Sequence, residues 1–425
     1  MNKKVYLLSS LFLLNNSVNL LEAKTVGVKK DSKIVNKYIN VNNSFIKKFF
    51  SKFYKPWQQS RNIYRLNDIK WPFNVYPYKK TYSENLNLHD NKFYKKLLIN
   101  ANFEEFGNIS KQGIAIERLT LRNFPTNKPI FYNPKKPGEG FPFDYNLNSA
   151  VHPNEPLFIS HFSKDRKFVY VNTSYAGGWV EVNKISVINK DLIDKISKLD
   201  KIVFTKDEVA ILNEKKLHLF YSKIGLVLPI IEEKSNYYKA LFITKNDFYS
   251  PKITIINIPK KIAKKLDFKE INIEKIEKMS KKMLGNKYGW GGFLGNRDCS
   301  STLKDLFATS GYWLPRNSKA ISLNGDRIKF KKNMSRSEKE ALIVQKGIPY
   351  KTVLYMKGHI MLYIGHVNGN VMIFHDMWGV SYINKYGLYD KKIIGKTVET
   401  DLYIGKELNK RYFIIDALKS MTILN

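Results

Sequence analysis

The stretch that decides the fold runs from Gly285 to Gly311 and reads GNKYGWGGFLGNRDCSSTLKDLFATSG. Its first half is rich in glycine. After Cys299, apolar residues recur at helical spacing, at Leu303, Leu306 and Phe307. This pattern predicts a helix that begins at the cysteine and ends near Gly311. The unpaired amides and the macrodipole at a helix start favour an anion, so we expect a lowered thiol pKa. The glycine-rich loop predicts that the backbone approaches a ligand closely.

Cys299 is the only cysteine in a chain of 425 residues, so no internal disulfide is expected. A lone cysteine is either a small buried hydrophobic residue or a reactive thiol. The glycine-rich loop and the predicted helix start favour the reactive thiol.

A thiol nucleophile needs an imidazole to accept its proton. Three of the seven histidines follow in the C-terminal region, where His359 opens a predicted strand, His366 falls in the next turn and His375 ends the returning strand. A parity-matched antiparallel register would bring His359 and His375 to one face, so that one accepts the thiol proton and the other orients it. His366 is expected to be an exposed turn residue.

Two alternatives for these residues stay open. Both histidines could be structural residues with satisfied hydrogen bonds. Two histidines and a cysteine could also bind zinc, although the close ligand pairs typical of zinc sites are absent.

The length of the chain predicts several domains, since single domains usually have about 100–200 residues. Short alternating strands predict two small β domains over residues 111–190 and 191–268, with a helical stretch at 190–199 between them. Helices and then strands predict an α+β domain over residues 269–425 that closes on an antiparallel sheet. Residues 24–110 form an N-terminal region with a predicted helix at 92–101.

The N-terminus has the pattern of an export signal. Lys3 and Lys4 precede an apolar run over residues 5–14, and Ala23 offers a small residue for cleavage. We therefore expect a signal peptide over residues 1–23 and a periplasmic or extracellular protein. A lipoprotein anchor is not expected, because that modification needs a cysteine after the signal.

The chain carries 72 Lys and Arg against 37 Asp and Glu, for a formal net charge of +35. This charge suits nucleic acid, an anionic membrane or an anionic polymer. The lysines are scattered along the chain, and the sequence has no arginine-rich arm. We therefore interpret the charge as suited to adhesion to an anionic cell wall. We expect no nucleic-acid partner, no stable membrane insertion and a monomer.

Five ordered segments resemble the NlpC family of cell-wall cysteine peptidases, over about residues 270–400. They are YGWGG at 288–292, RDCS at 297–300, LPRNS at 314–318, GHIMLYIG at 358–365, and His375 followed by Trp378-Gly379. The regions upstream resemble the N-terminal stabilising segment and the pair of bacterial SH3-like domains of one branch of that family. The resemblance implies a multidomain α+β protein, with two small SH3-like β-barrels followed by a papain-like α+β peptidase domain.

The resemblance also implies roles for individual residues. Cys299 would be the nucleophile, His359 the base and His375 the residue that orients it, while the Tyr288 hydroxyl and the Cys299 amide would hold the oxyanion. Five positions would bind an L-Ala-γ-D-Glu dipeptide: Asp298, which would receive the free amine, Ser300, Trp290, Ser318 and, from the first β domain, Tyr175. Ser301 departs from the family, which commonly has glycine there.

The implied reaction is hydrolysis of the bond between γ-D-Glu and the diamino acid of peptidoglycan stem peptides. It needs no metal or organic cofactor. The alternative function is a non-catalytic protein that binds the cell wall through its SH3-like domains.

Overall fold

The computed structural model describes residues 44–136, 138–246, 250–408 and 412–425. The predicted signal peptide lies outside the described residues. None of the helices in these ranges is long and apolar enough to cross a membrane.

The N-terminal region contains three helices, α1 (Ser44–Phe53), α2 (Leu66–Val75) and α3 (Asn91–Asn100). Only α3 was predicted, and it begins where the Asp90 carboxylate accepts a hydrogen bond from the Phe93 amide at 2.8 Å. The apolar side chains of α2 and α3 pack into the core of the first β domain, where Phe73 lies 4.7 Å from Phe124 between ring centres. The region therefore shares its core with the domain that follows it.

The first β domain is one antiparallel sheet with the strand order β3-β2-β6-β5-β4-β1-β7. Its strands are β1 (Lys111–Ala115), β2 (Leu119–Arg122), β3 (Leu147–Val151), β4 (Pro156–Phe162), β5 (Phe168–Asn172), β6 (Gly177–Glu181) and β7 (Ile185–Val187).

Helix α4 (Lys190–Lys198) connects this domain to the second one, as predicted, and Asn189 caps it by accepting from the Leu192 amide at 3.0 Å. The second β domain has a five-stranded sheet in the order β13-β12-β11-β8-β14 and a separate β9-β10 pair. Strand β13 was not predicted; it lies at the edge of the sheet, and seven of its nine residues are exposed or only partly buried. The strands are β8 (Asp200–Phe204), β9 (Ala210–Leu212), β10 (His218–Tyr221), β11 (Val227–Glu233), β12 (Tyr237–Lys245), β13 (Pro251–Pro259) and β14 (Ala263–Lys265).

The C-terminal domain packs helices on a six-stranded antiparallel sheet in the order β15-β20-β16-β17-β18-β19. Its helices are α5 (Ile273–Met283), α6 (Cys299–Ala308), α7 (Ser318–Ile321), α8 (Arg336–Lys346) and α9 (Ile414–Ala417). Its strands are β15 (Asp326–Lys329), β16 (Thr352–Met356), β17 (His359–Val367), β18 (Asn370–Ile383), β19 (Tyr389–Asp401) and β20 (Leu418–Ile423).

Helix α6 lies against strands β17 and β18 at the centre of this domain. Leu303 and Phe307 of the helix are fully buried and pack with Ile360 and Phe374 of the two strands. The apolar spacing that predicted the helix is therefore the face that docks it on the sheet. The predicted fold class, two small β domains followed by an α+β domain, is confirmed.

Candidate active site

Helix α6 begins at Cys299, as the sequence predicts. Asp298 is its cap residue and accepts a hydrogen bond from the Ser301 amide at 3.1 Å, while the Ser301 hydroxyl accepts one from the Asp298 amide at 2.8 Å. This reciprocal pair satisfies two backbone donors at the helix start. Ser301 thus contributes a hydroxyl to the first turn that glycine would lack, and the cap holds Cys299 at the end of the helix.

The Cys299 thiol is 9% exposed, at the edge of the buried core. Burial, and then the neighbouring Asp298 carboxylate, raise the pKa of Cys299 to about 12, although a hydrogen bond from the Ile360 amide acts in the opposite direction. The expectation of a lowered thiol pKa is therefore wrong. Desolvation of the thiolate outweighs the favourable dipole of the helix start.

The glycine-rich loop before Cys299 approaches the first β domain closely. Gly291 and Gly292 have positive φ angles of 60° and 93°, and a Cβ on them would lie 2.8 Å from the Leu147 Cβ and 2.5 Å from the Ala150 Cβ. Any larger residue would push the loop away from strand β3. These two glycines thus dock two domains together beside the thiol.

The two histidines predicted to share a face are hydrogen-bonded to each other. Nε2 of His359 lies 2.9 Å from Nδ1 of His375, and Nε2 of His375 lies 3.1 Å from Oγ1 of Thr400 on strand β19. Burial lowers the pKa of His359 to about 4 and holds that of His375 well below its usual value, so both rings are neutral at neutral pH. His366 is exposed, as predicted, but it lies in strand β17 opposite Val371 rather than in the turn, because the strand pairing continues past it to Val367.

Asp298 is paired with an arginine to which the sequence analysis assigned no role. Nη2 of Arg316 donates to the Asp298 carboxylate at 2.7 Å, and Nη1 donates to the Ser300 hydroxyl. The Ser300 hydroxyl in turn lies 2.8 Å from the Arg316 carbonyl oxygen. Burial by itself would raise the pKa of Asp298, but Arg316 keeps it below its usual value. The carboxylate is therefore charged and already has a cationic partner.

Tyr288 and Trp290 line the loop on the other side of the thiol. Burial raises the pKa of Tyr288 well above its usual value, so its hydroxyl keeps its proton and can donate a hydrogen bond. The Trp290 ring packs 5.4 Å from Phe143, and its indole nitrogen is buried with no hydrogen-bond partner among the described residues. Ser318 is partly exposed as the first residue of α7.

Tyr175 extends from the first β domain towards helix α6, and the Lys304 ammonium lies 4.6 Å from the centre of its ring. Its hydroxyl lies 2.8 Å from the Glu155 carboxylate and 2.9 Å from the Ala150 carbonyl oxygen. The first β domain thus reaches the C-terminal domain beside the cysteine helix. In this arrangement the Tyr175 hydroxyl is bonded within its own domain.

The described part of the chain contains no group of three or more His, Cys, Asp or Glu side chains arranged to hold a metal ion. The zinc alternative therefore has no support in the geometry of Cys299, His359 and His375.

Comparisons with known families agree with this division of the chain. Four family models match, described as the NLPC_P60 stabilising domain over residues 31–106, an SH3 domain of the SH3b1 type over 129–181, an SH3 domain of the SH3b2 type over 190–234, and the NlpC/P60 family over 285–398. None of the curated proteins matches.

One solved structure shows the same fold over most of the chain. An NlpC/P60 endopeptidase from Photobacterium damselae subsp. piscicida is similar with a TM-score of 0.78 and 24% sequence identity, over 93% of this chain and 95% of that chain. An NlpC/P60 family protein from Bacillus cereus is 15% identical with a TM-score of 0.49, over 74% of this chain and 100% of that chain. The last of the four models spans Cys299 and both histidines, so this chain carries an NlpC/P60 domain that follows an NLPC_P60 stabilising domain and two SH3 domains.

Proposed function

We propose that this protein is a peptidoglycan endopeptidase that hydrolyses the bond between γ-D-Glu and the diamino acid of stem peptides, with Cys299 as the nucleophile. One observation carries the proposal. Cys299 packs in one buried cluster with Ile360, and the residue before Ile360, His359, is hydrogen-bonded to His375. The thiol therefore lies at the start of the strand that carries the proposed base.

The reaction begins from a neutral thiol and a neutral imidazole. As Sγ of Cys299 attacks the scissile carbonyl carbon, His359 accepts the thiol proton, and the new oxyanion accepts hydrogen bonds from the Cys299 amide and the Tyr288 hydroxyl. Collapse of this intermediate breaks the C–N bond, and the imidazolium of His359 protonates the departing amine. A thioester remains on Cys299.

Water then completes the reaction. His359 accepts a proton from the water as its oxygen attacks the thioester, and the C–S bond breaks to release the γ-carboxylate of D-Glu. The proton on His359 returns to the sulfur. His375 orients the base in both steps.

The raised thiol pKa is compatible with this sequence. A buried thiol with a pKa near 12 beside an imidazole with a pKa near 4 stays neutral until a substrate is bound. Proton transfer is then coupled to carbon–sulfur bond formation, because burial makes a free thiolate unfavourable.

We assign the substrate pocket to Asp298, Ser300, Trp290, Ser318 and Tyr175. The buried indole N–H of Trp290 has no partner among the described residues, which leaves it as a donor for a substrate oxygen. The Asp298 carboxylate would accept a hydrogen bond from the free amine of L-Ala. The same carboxylate would remain paired with Arg316. We also propose that residues 1–23 direct export and that the SH3 domains hold the protein at the cell wall.

The first experiment uses defined muropeptides with mass spectrometry of the products. Wild-type protein should release the diamino acid fragment from L-Ala-γ-D-Glu-containing stems, and Cys299→Ala should release none because the nucleophile is absent. His359→Ala should lose nearly as much activity, whereas His375→Ala should keep more if it only orients the ring. Wild-type protein that binds the wall but gives no product would favour the non-catalytic alternative.

The second experiment tests the amine pocket by changing the substrate, since Asp298 also caps α6 and its replacement would disturb the thiol. Three stem tripeptides differ only at the L-Ala nitrogen, which is free, methylated or acetylated. Methylation keeps the positive charge of the L-Ala nitrogen. Acetylation removes that charge, so that Arg316 is the only cation left beside Asp298. We expect the acetylated stem to lose about tenfold or more in kcat/KM and the methylated stem to lose less. Equal rates on all three stems would contradict the assignment of the amine to Asp298.

A further inference from the structure

Thr400 on strand β19 ends the hydrogen-bond chain that starts at His359. Its hydroxyl oxygen lies 3.1 Å from Nε2 of His375 and 2.8 Å from the backbone carbonyl oxygen of Asp401. A carbonyl oxygen can only accept, and a threonine hydroxyl has one hydrogen to donate. Thr400 satisfies both contacts only if it donates to Asp401 and accepts from His375.

This direction sets the protons on both rings. His375 must carry its proton on Nε2 and present the lone pair of Nδ1 to His359. His359 must then donate from its own Nε2, which leaves the lone pair of its Nδ1 free. The reverse chain would place two oxygen lone pairs 2.8 Å apart between Thr400 and Asp401 with no hydrogen between them.

We propose that Thr400 is a positioning residue that selects the tautomers of His375 and His359, so that Nδ1 of His359 is the atom that accepts the thiol proton. The inference rests on the proposed function for its catalytic meaning, but the tautomers themselves do not depend on turnover. Thr400 acts through His375 and touches no reacting atom. Asp401 contributes only its backbone carbonyl, so replacing its side chain does not alter the chain of bonds.

The replacement Thr400→Val removes the acceptor and keeps the shape of the side chain. In the native tautomer the Nε2–H of His375 would then be a buried donor without a partner. The reversed tautomer avoids this, because Nδ1–H of His375 then donates to Nε2 of His359. Since Nε2 of His359 now accepts, the ring proton of His359 must lie on its Nδ1. The base would then lack its lone pair.

The first measurement is nitrogen-15 NMR of ring-labelled histidine in the Cys299→Ala protein, with the His375 signals assigned by their loss in His375→Asn. We expect both rings to carry their protons on Nε2, and Thr400→Val to shift His375 towards the Nδ1–H form. A wild-type His375 protonated on Nδ1, or a Thr400→Val spectrum with unchanged tautomers, would overturn the proposal. The wild-type spectrum decides even if the variant does not fold.

The second measurement is kinetic and uses a matched series with Cys299 intact. Thr400→Val should lower kcat by about tenfold to a hundredfold with little change in KM, because the substrate does not contact Thr400. Thr400→Ser should restore most of the rate, since it keeps the hydroxyl. Thr400→Ala should be intermediate, because Thr400 is partly exposed and water can take the place of its oxygen.

The two measurements separate the inference from the proposed function. A wild-type protein that hydrolyses no stem peptide would refute the proposed endopeptidase function. The tautomers measured by NMR would still test the role of Thr400. An active protein in which Thr400→Val matches wild type would refute the role of Thr400 and leave the cysteine chemistry in place.

Discussion

The ionisation of Cys299 is set by its surroundings rather than by its place at a helix start. Because its pKa is raised to about 12, the thiolate fraction should rise about tenfold for each pH unit through the neutral range and show no acidic plateau. Cys299 is the only cysteine, so the ultraviolet absorbance difference between wild type and Cys299→Ala reports this thiolate alone. A thiolate signal that is already complete at pH 6 would contradict the prediction and indicate a preformed thiolate–imidazolium pair.

Helix α6 and strand β18 meet through a buried carboxyl below the active site. Asp376 is fully buried and accepts a hydrogen bond from the Thr302 hydroxyl at 3.0 Å, and burial raises its pKa to about 8. Between about pH 4 and pH 8 the folded protein therefore holds a proton that the unfolded chain releases. The contribution of Asp376 to stability is greatest at low pH and is lost as the pH rises through this window.

The variant Asp376→Asn tests this contact between the two elements, since its amide resembles the protonated acid at every pH. Unfolding free energies in urea at pH 4, 7 and 9 should be similar for both proteins at pH 4. They should favour the variant by about 4–6 kcal/mol at pH 9, since each pH unit between about 4 and 8 costs the wild type about 1.4 kcal/mol. All other titrating groups are shared, so the difference isolates residue 376. Two parallel stability profiles would show that Asp376 ionises normally in the folded protein.

Three domains of the molecule meet at one buried arginine next to the site. Arg297 donates to both carboxylate oxygens of Asp207 in the second β domain, at 2.8 and 3.0 Å, and to Asp305 of α6 at 2.6 Å. Asp305 is hydrogen-bonded at 3.0 Å to His152 of the first β domain. Arg297 directly precedes the cap residue Asp298. The placement of both β domains is therefore coupled through this network to the placement of the Cys299 thiol.

We expect Asp207→Asn to destabilise the whole protein by about 3–5 kcal/mol, because it leaves a buried guanidinium with an incomplete set of partners. The control is Glu232→Gln in the same domain, which removes ion pairs to Lys234 and Lys239 at the surface and should change the unfolding free energy far less, because water screens these charges. Denaturant unfolding of the full chain measures both. An Asp207→Asn variant as stable as Glu232→Gln would mean that the network does not hold the domains together.

Local patterns in the sequence determined the elements around the site. The start of α6 at Cys299 and the hairpin of β17 and β18 follow from residue spacing, turn glycines and caps, which act within a few residues of each other. The meeting of His359 and His375 followed from strand parity, and their contact of 2.9 Å agrees with it. The order of the domains was also predictable, because each type of domain has its own periodicity.

Tertiary packing alone decided how these groups are paired and ionised. Arg316 reaches Asp298 across 18 residues, and Thr400 reaches His375 from a strand that the sequence analysis did not predict. No local spacing specifies such contacts, because they arise only when the sheet and the helices assemble. The thiol pKa was predicted with the wrong sign for the same reason. The helix dipole can be inferred from local sequence, but the desolvation that outweighs it depends on how deeply the rest of the chain buries Cys299.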